Sequence, residues 1–294
     1  MSFLKAIFEQ TSFIGKLLIV FTTLVFFLSI GSAISLLVTP AFGDDIVALK
    51  ITQAVLSIFG FIFPAVICAC FFDKNAVRYL SVSTQTKALF YLLAAMIVVI
   101  AIPAINFTAD LNEKIVLPEW LSHIEKWMKQ QEATNNALTE RFLSATSWSG
   151  FLGNLVVMAL IPAFSEELFF RGLLQKTFTK TFGTHAGIWL SALIFSAIHL
   201  QFYGFFPRMF LGAIFGYFVY WSGSILPSVV AHFINNATVV TLSFFCCQQT
   251  IDEFSHIGTA NQWPIAVVSF GVCGLLLWFF RRYRLKANDD AHVR

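Results

Sequence analysis

The chain is short of charge. Only 12% of its 294 residues are Asp, Glu, Lys or Arg, about half of the ~25% that a soluble domain carries. That poverty excludes a soluble globule and a disordered, solvated chain alike. The net charge is +3, and no basic stretch interleaved with polar residues is present, which leaves no case for a nucleic-acid partner. The five cysteines (Cys68, Cys70, Cys246, Cys247, Cys273) lie in or beside apolar runs without metal-ligand spacing. Cys68 and Cys70 form a C-x-C pair, but no histidine or second pair stands near them, so apolar packing is the better reading. No internal repeat recurs at a fixed period, and no H-E-x-x-H helix occurs.

What the chain has instead is apolar length. Hydrophobic residues make up 57% of it, and Phe alone supplies 35 residues. A helix needs about 20 apolar residues to cross ~30 Å of hydrocarbon. Eight runs approach that: Leu17–Val38, Ala54–Phe72, Ala88–Ile105, Phe151–Phe170 with its continuation, Ala186–Leu200, Met209–Trp221, Ile225–Phe245 and Pro264–Phe280. The fifth and sixth are short. Lys5 and Lys16 precede the first run as they would a signal peptide, yet that run is longer than a signal h-region and reads as a retained span. The fold expected is all-α, a polytopic transmembrane bundle of about eight spans. Its parts divide as residues 1–105 (three spans), 106–149 (an external loop), 150–245 (a core that carries the chemistry) and 246–294 (a last span and a basic tail).

With eight spans, thirteen Lys and Arg residues fall on one side, including Lys5, Arg171, Lys286 and Arg294. Six fall on the other, Arg208 among them, together with ten acids from Asp44 to Glu253. Positive loops stay inside, so both termini are expected in the cytoplasm and the protein in the cell (inner) membrane. In the external loop, Pro118 can start a helix, and Trp120, Leu121, Ile124, Trp127 and Met128 recur at helical spacing. This is an amphipathic helix suited to the membrane boundary, and a passive anchor outweighs a gating lid as its role.

An ionisable side chain inside an apolar span is a functional candidate by default. Three spans carry them. In the fourth, Glu166 and Glu167 are adjacent and project about 100° apart. Glu167 and Arg171 stand in the favourable i, i+4 order for an ion pair, which explains Glu167 and leaves Glu166 without a partner. Desolvation makes a carboxylate a stronger base, as a general base near neutral pH requires. The fifth span ends in His199. If the fourth helix continues to a turn at Gly183, Glu167 lies sixteen residues before that glycine and His199 sixteen after it. An antiparallel hairpin would then bring Glu166 and His199 to one depth, with His185 a solvated residue in the turn. In the seventh span His232 and Asn236 share a face while Asn235 points elsewhere. Two donors on one face suit developing negative charge on oxygen, although interhelical hydrogen bonding is the plainer role for each alone.

Glu-Glu-x-x-x-Arg (Glu166, Glu167, Arg171), Phe-x-x-x-His (Phe195, His199) and His-x-x-x-Asn (His232, Asn236) occur in order within seventy-one residues. In this the chain resembles the CPBP family of intramembrane proteases, the CAAX-prenyl-protease and bacteriocin-processing or Abi group, over about Phe151–Phe245. The resemblance implies an intramembrane endopeptidase in which Glu166 activates water with His199, and His232 with Asn236 steadies the oxyanion. Glu167, Arg171 and Phe195 would support them. It implies a membrane-embedded or lipidated peptide or protein as substrate, and the lipid bilayer as surroundings. No metal is expected to be obligatory; a divalent ion such as zinc, if present, would sit on Glu166, His199 and His232. Phe-rich helices with no organelle address suggest a bacterial chain, for which peptide maturation, immunity or membrane-protein processing fits better than prenyl-protein trimming. Two other classes compete: an ion- or proton-coupled transporter using the same charges as a path, and a non-catalytic immunity or partner protein of the same fold. Clustering of the charges and the lack of internal symmetry weigh against the transporter.

Overall fold

The computed structural model describes residues 11–42, 45–259 and 262–292; Lys5, Asp44 and Arg294 of the charge count lie outside them. Helix is the regular structure throughout, with no strand among the described residues. The helices are α1 (Phe13–Val38), α2 (Ile46–Phe72), α3 (Ala88–Ile100), α4 (Ile102–Glu113), α5 (Ser122–Leu143), α6 (Trp148–Phe182), α7 (Thr184–Ala197), α8 (Phe205–Ser222), α9 (Leu226–Phe245), α10 (Gln248–His256) and α11 (Trp263–His292). The chain is thus a multi-pass membrane protein built as an all-α bundle.

All eight expected runs are helical, but fewer qualify as full spans. Among the described residues five helices are long and apolar enough to cross a membrane, or six if the pair α3 and α4, bent by 46°, is one span. The bend has a local cause. Pro103 has no N–H for the carbonyl four residues back, so the ladder breaks where α3 meets α4. Helix α7 has only 14 residues, and α8 begins with Pro207 and Arg208 in its first turn.

Helix α6 is the axis of the bundle. It packs against α2, α7 and α9, while α8 packs on α7 and α9, and α3 and α11 close the far side. One aromatic core surrounds its second half, with Phe169, Phe170 and Phe178 of α6 buried among Phe72, Tyr79, Phe195 and Val229. A single residue, Gly183, joins α6 to α7 with φ of +84°, a conformation that glycine adopts without strain. The hairpin expected from the spacing is therefore formed. His185 is not in the turn but in the first turn of α7, exposed and bonded through Nδ1 to the Tyr217 hydroxyl at 2.8 Å.

The loop helix α5 is present and longer than its indoles suggested. Its outer face exposes Ile124 and Trp127, with Trp120 exposed just before it. Its inner face is not idle, because Asn135, Leu138, Thr139 and Phe142 border the largest cavity among those described.

Candidate active site

Local chemistry in α6 creates the site. Two π-helical stretches, Leu155–Leu160 and Leu168–Leu174, flank the α-helical segment Ile161–Glu167 that carries both glutamates. Such widened turns re-aim side chains and recur at functional sites. Pro162 adds a second effect. It has no N–H for the Met158 carbonyl, and the Asn236 side-chain Nδ2 of α9 donates to that freed carbonyl at 3.3 Å. A gap in one helix thereby anchors the amide of another.

The charges expected to meet do meet. Glu167 is fully buried; its Oε1 forms an ion pair with Arg171, 3.0 Å from Nη1, and a hydrogen bond with His232 Nδ1 at 3.0 Å. The ion pair with Arg171 is the one read from the sequence. The bond to His232 is new, and it changes the role of Glu167 from a counter-ion alone to the group that orients an imidazole. Arg171 also donates through Nη2 to the Gly212 carbonyl at 3.1 Å, and Gln175 does the same one turn on to Gly216 at 3.1 Å. A Cβ on Gly216 would stand 2.6 Å from Gln175 Oε1, so α8 needs glycine there to admit the side chain. The guanidinium of Arg171 lies 4.3 Å from the Phe195 ring centroid, a desolvated cation–π contact. Arg171 was counted with the loop charges; it belongs to the core instead, where it is 2% exposed.

Glu166 faces the other way, into a cavity of about 620 Å³. Its Oε2 is buried without a hydrogen-bond partner, 3.9 Å from His199 Nε2 and 3.8 Å from His232 Nε2. The tautomers follow from the opposite ring nitrogens. His199 Nδ1 lies 2.7 Å from the Phe195 carbonyl, which can only accept, so Nε2 of the neutral ring carries a lone pair. His232 Nδ1 lies 3.0 Å from the Glu167 carboxylate oxygen, which can only accept, so that nitrogen carries a hydrogen. The Phe195 ring stands edge-on to both imidazoles.

Asn236 borders the same cavity, and so does Asn235, whose Nδ2 donates to Asn236 Oδ1 at 3.2 Å. The expectation that Asn235 points elsewhere is corrected: the cavity is wide enough to be bordered by two adjacent positions of α9. Arg208, assigned by charge counting to an outside loop, also borders the cavity, held by Gln201 Oε1 at 2.7 Å. Sequence reading missed it because no motif includes it; its place next to Pro207 at the head of an apolar helix was the available signal. Behind His199 the chain turns through Leu200 at φ of +51°, a left-handed conformation costly for a branched residue. There Asn135 of α5 donates to the His199 carbonyl at 3.3 Å.

A zinc ion on Glu166, His199 and His232 would need ligand atoms about 3.3 Å apart, the edge of a tetrahedron with ~2.05 Å bonds. The observed 3.8 and 3.9 Å are wider, so the residues as placed do not fit that ion.

Comparison with known proteins agrees with the motifs. Residues 148–238 match the family profile described as type II CAAX prenyl endopeptidase Rce1-like. Over 138 residues the chain is 27% identical to the uncharacterized protein YpbD of Bacillus subtilis (strain 168). That match takes in 46% of this chain and 62% of the length of the relative. No solved structure matches. The stretch that carries Glu166, His199, His232 and Asn236 is therefore one that matches the Rce1-like type II CAAX prenyl endopeptidases, the resemblance that the three motifs had suggested.

Proposed function

We propose that the protein is an intramembrane endopeptidase that hydrolyses a peptide bond of a membrane-associated peptide or protein by means of water activated at Glu166. One observation carries the reading: Glu166 Oε2, buried and without a partner, shares a cavity with the Nε2 atoms of two histidines at 3.8 and 3.9 Å. A water between them gives a proton to Glu166 while His199 Nε2 holds its other hydrogen. Its oxygen attacks the scissile carbonyl carbon, and the C=O electron pair moves onto oxygen. His232 Nε2–H and the Asn236 amide donate to that oxyanion. Collapse expels the amine, which takes the proton from Glu166, and the new carboxyl leaves with the other half of the chain.

The orientation belongs to the same proposal. Taken as six spans, with α3 and α4 as one of them, the bundle puts both termini on one side; with Arg171 and Arg208 left out, twelve Lys and Arg residues fall on that side and five on the other, so both termini read as cytoplasmic. In this arrangement α5 is more than an anchor: it covers the cavity that a substrate must enter.

The test is cleavage by the purified full chain in detergent, using quenched fluorescent peptides with an apolar segment and, in parallel, lipidated peptides. Glu166→Gln should lower turnover by ~10²–10⁴, the usual worth of general base catalysis, with membrane level and melting unchanged. Exhaustive chelation should leave wild-type turnover intact. Equal cleavage by wild type and Glu166→Gln would refute the mechanism.

A further inference from the structure

Away from the catalytic cavity, where the start of α7 and the end of α8 meet α11, lies a second pocket of different chemistry. It has a volume of about 190 Å³ and is lined by His185, Tyr220, Trp221, Arg281 and Arg284. The two arginines have no acidic partner among the described residues. Arg284 instead lies against the Tyr220 ring, 4.6 Å from its centroid, and Arg281 is exposed.

The aromatic floor is ordered. Tyr217 stacks on Trp221 at 5.1 Å, and its hydroxyl pairs with His185 at 2.8 Å. An arginine stacked on a ring keeps the edge of its guanidinium free, and that edge matches phosphate oxygens two at a time. The depth is also set by the chain. The apolar run of α11 ends at Phe280, directly before Arg281, so the pocket sits at the boundary where phosphates of lipid headgroups lie. Tyr and Trp favour that same level.

We propose that this pocket binds the phosphate of an anionic phospholipid headgroup, with Arg281 and Arg284 as its ligands and the acyl chains along the lipid-facing side of α11. Basic pockets between membrane helices are suited to such headgroups. The site joins α11 to the α7–α8 pair, whose far ends carry His199 and Arg208. A bound headgroup therefore braces the pair that holds half of the catalytic cavity.

Delipidated full-length protein in dodecylmaltoside tests this, with retained lipid read by native mass spectrometry and melting by tryptophan fluorescence. Dioleoylphosphatidylglycerol should be retained at one molecule per chain and raise the melting midpoint; dioleoylphosphatidylcholine should do neither. Arg281→Gln with Arg284→Gln should weaken retention roughly thirtyfold, the worth of two basic residues near a lipid surface, and Arg282→Gln, over Trp278, should change it by less than about twofold. The exposed single variant Arg281→Gln should show part of the loss if the double variant is poorly made. Phosphatidylglycerol retained equally by the double variant would overturn the proposal. So would equal retention of phosphatidylcholine, or the whole stabilisation from inorganic phosphate without lipid. None of these readouts uses peptide cleavage, so the site and the peptidase reading stand or fall separately.

Discussion

Helices α1 and α6 are both apolar enough to cross a bilayer, and they use their length in opposite ways. Protein buries 11% of the most apolar window of α1 and 39% of that of α6. The hydroxyls of Thr23 and Ser29 in α1 bond back to the carbonyls of Ile19 and Val25. Their helix needs no neighbour to satisfy them, and Leu18, Phe21 and Leu36 face lipid. In α6, by contrast, Arg171 and Gln175 reach α8, Glu167 reaches His232 of α9, and Glu166 faces a cavity. An apolar helix whose one charge, Lys16, stands in its first turn can be solvated by lipid. One with charge in its middle has to be solvated by protein, because hydrocarbon satisfies no polar group.

Substitutions can break that contrast, and the largest effect is expected at Glu167. Glu167→Gln leaves the Arg171 charge uncompensated in a buried site, an error of about 3–5 kcal/mol, and should be visible first as lost membrane level and melting temperature. Adding Arg171→Gln should recover part of the stability. Turnover should not recover with it and should stay down by ~10²–10⁴, because His232 has lost the carboxylate that orients it. Recovery of both together would mean that Glu167 serves the fold alone.

A smaller effect is expected from Asn236→Ala, which removes the proposed oxyanion donor and the bond to the Met158 carbonyl. A fall of ~10² in kcat with little change in KM would match an interaction made in the transition state. A rise in KM alone would make the asparagine a substrate-binding group. At the far end of the scale stands Leu18→Ala in α1. With Leu18 60% exposed to lipid, the change should move stability by no more than about 0.5 kcal/mol. A loss of several kcal/mol there would show that a second copy or another partner covers α1.

Much of the site was legible because charge in an apolar run is conspicuous. Glu166, Glu167, Arg171, His199, His232 and Asn236 stand out against their neighbours, and helix arithmetic paired Glu166 with His199 across Gly183. What could not be read was anything that depends on the direction of a side chain in a distorted helix. The π-helical turns beside Ile161–Glu167 leave no mark in composition, and the bond from Glu167 to His232 spans sixty-five residues. Arg208 and Asn235 were misplaced for the same reason. Counting charges by loop assumes that each lies where its segment begins, and helical spacing gives a relative angle between two residues without saying how much of the face is open.

The span count was legible in a different measure: length and apolar composition qualify five or six helices among the described residues, not eight. Apolar runs as short as those of α7 and α8 were counted as crossings because hydropathy reports an apolar environment without naming it. Lipid and protein core are alike to Leu or Phe, so only the packing distinguishes a helix that spans from one enclosed by its neighbours.

Composition and the order of apolar runs were enough to establish a membrane chain, an all-α fold and the three helices that carry buried ionisable residues, since the penalty for burying charge or leaving backbone unpaired in hydrocarbon admits few alternatives. The division of labour between two adjacent carboxylates was decided only in three dimensions. Glu166 and Glu167 are the same residue type one position apart; one pairs at Oε1 with Arg171 of its own helix and with the His232 imidazole, the other faces an open cavity, and both the imidazole and the cavity come from helices that approach across the bundle.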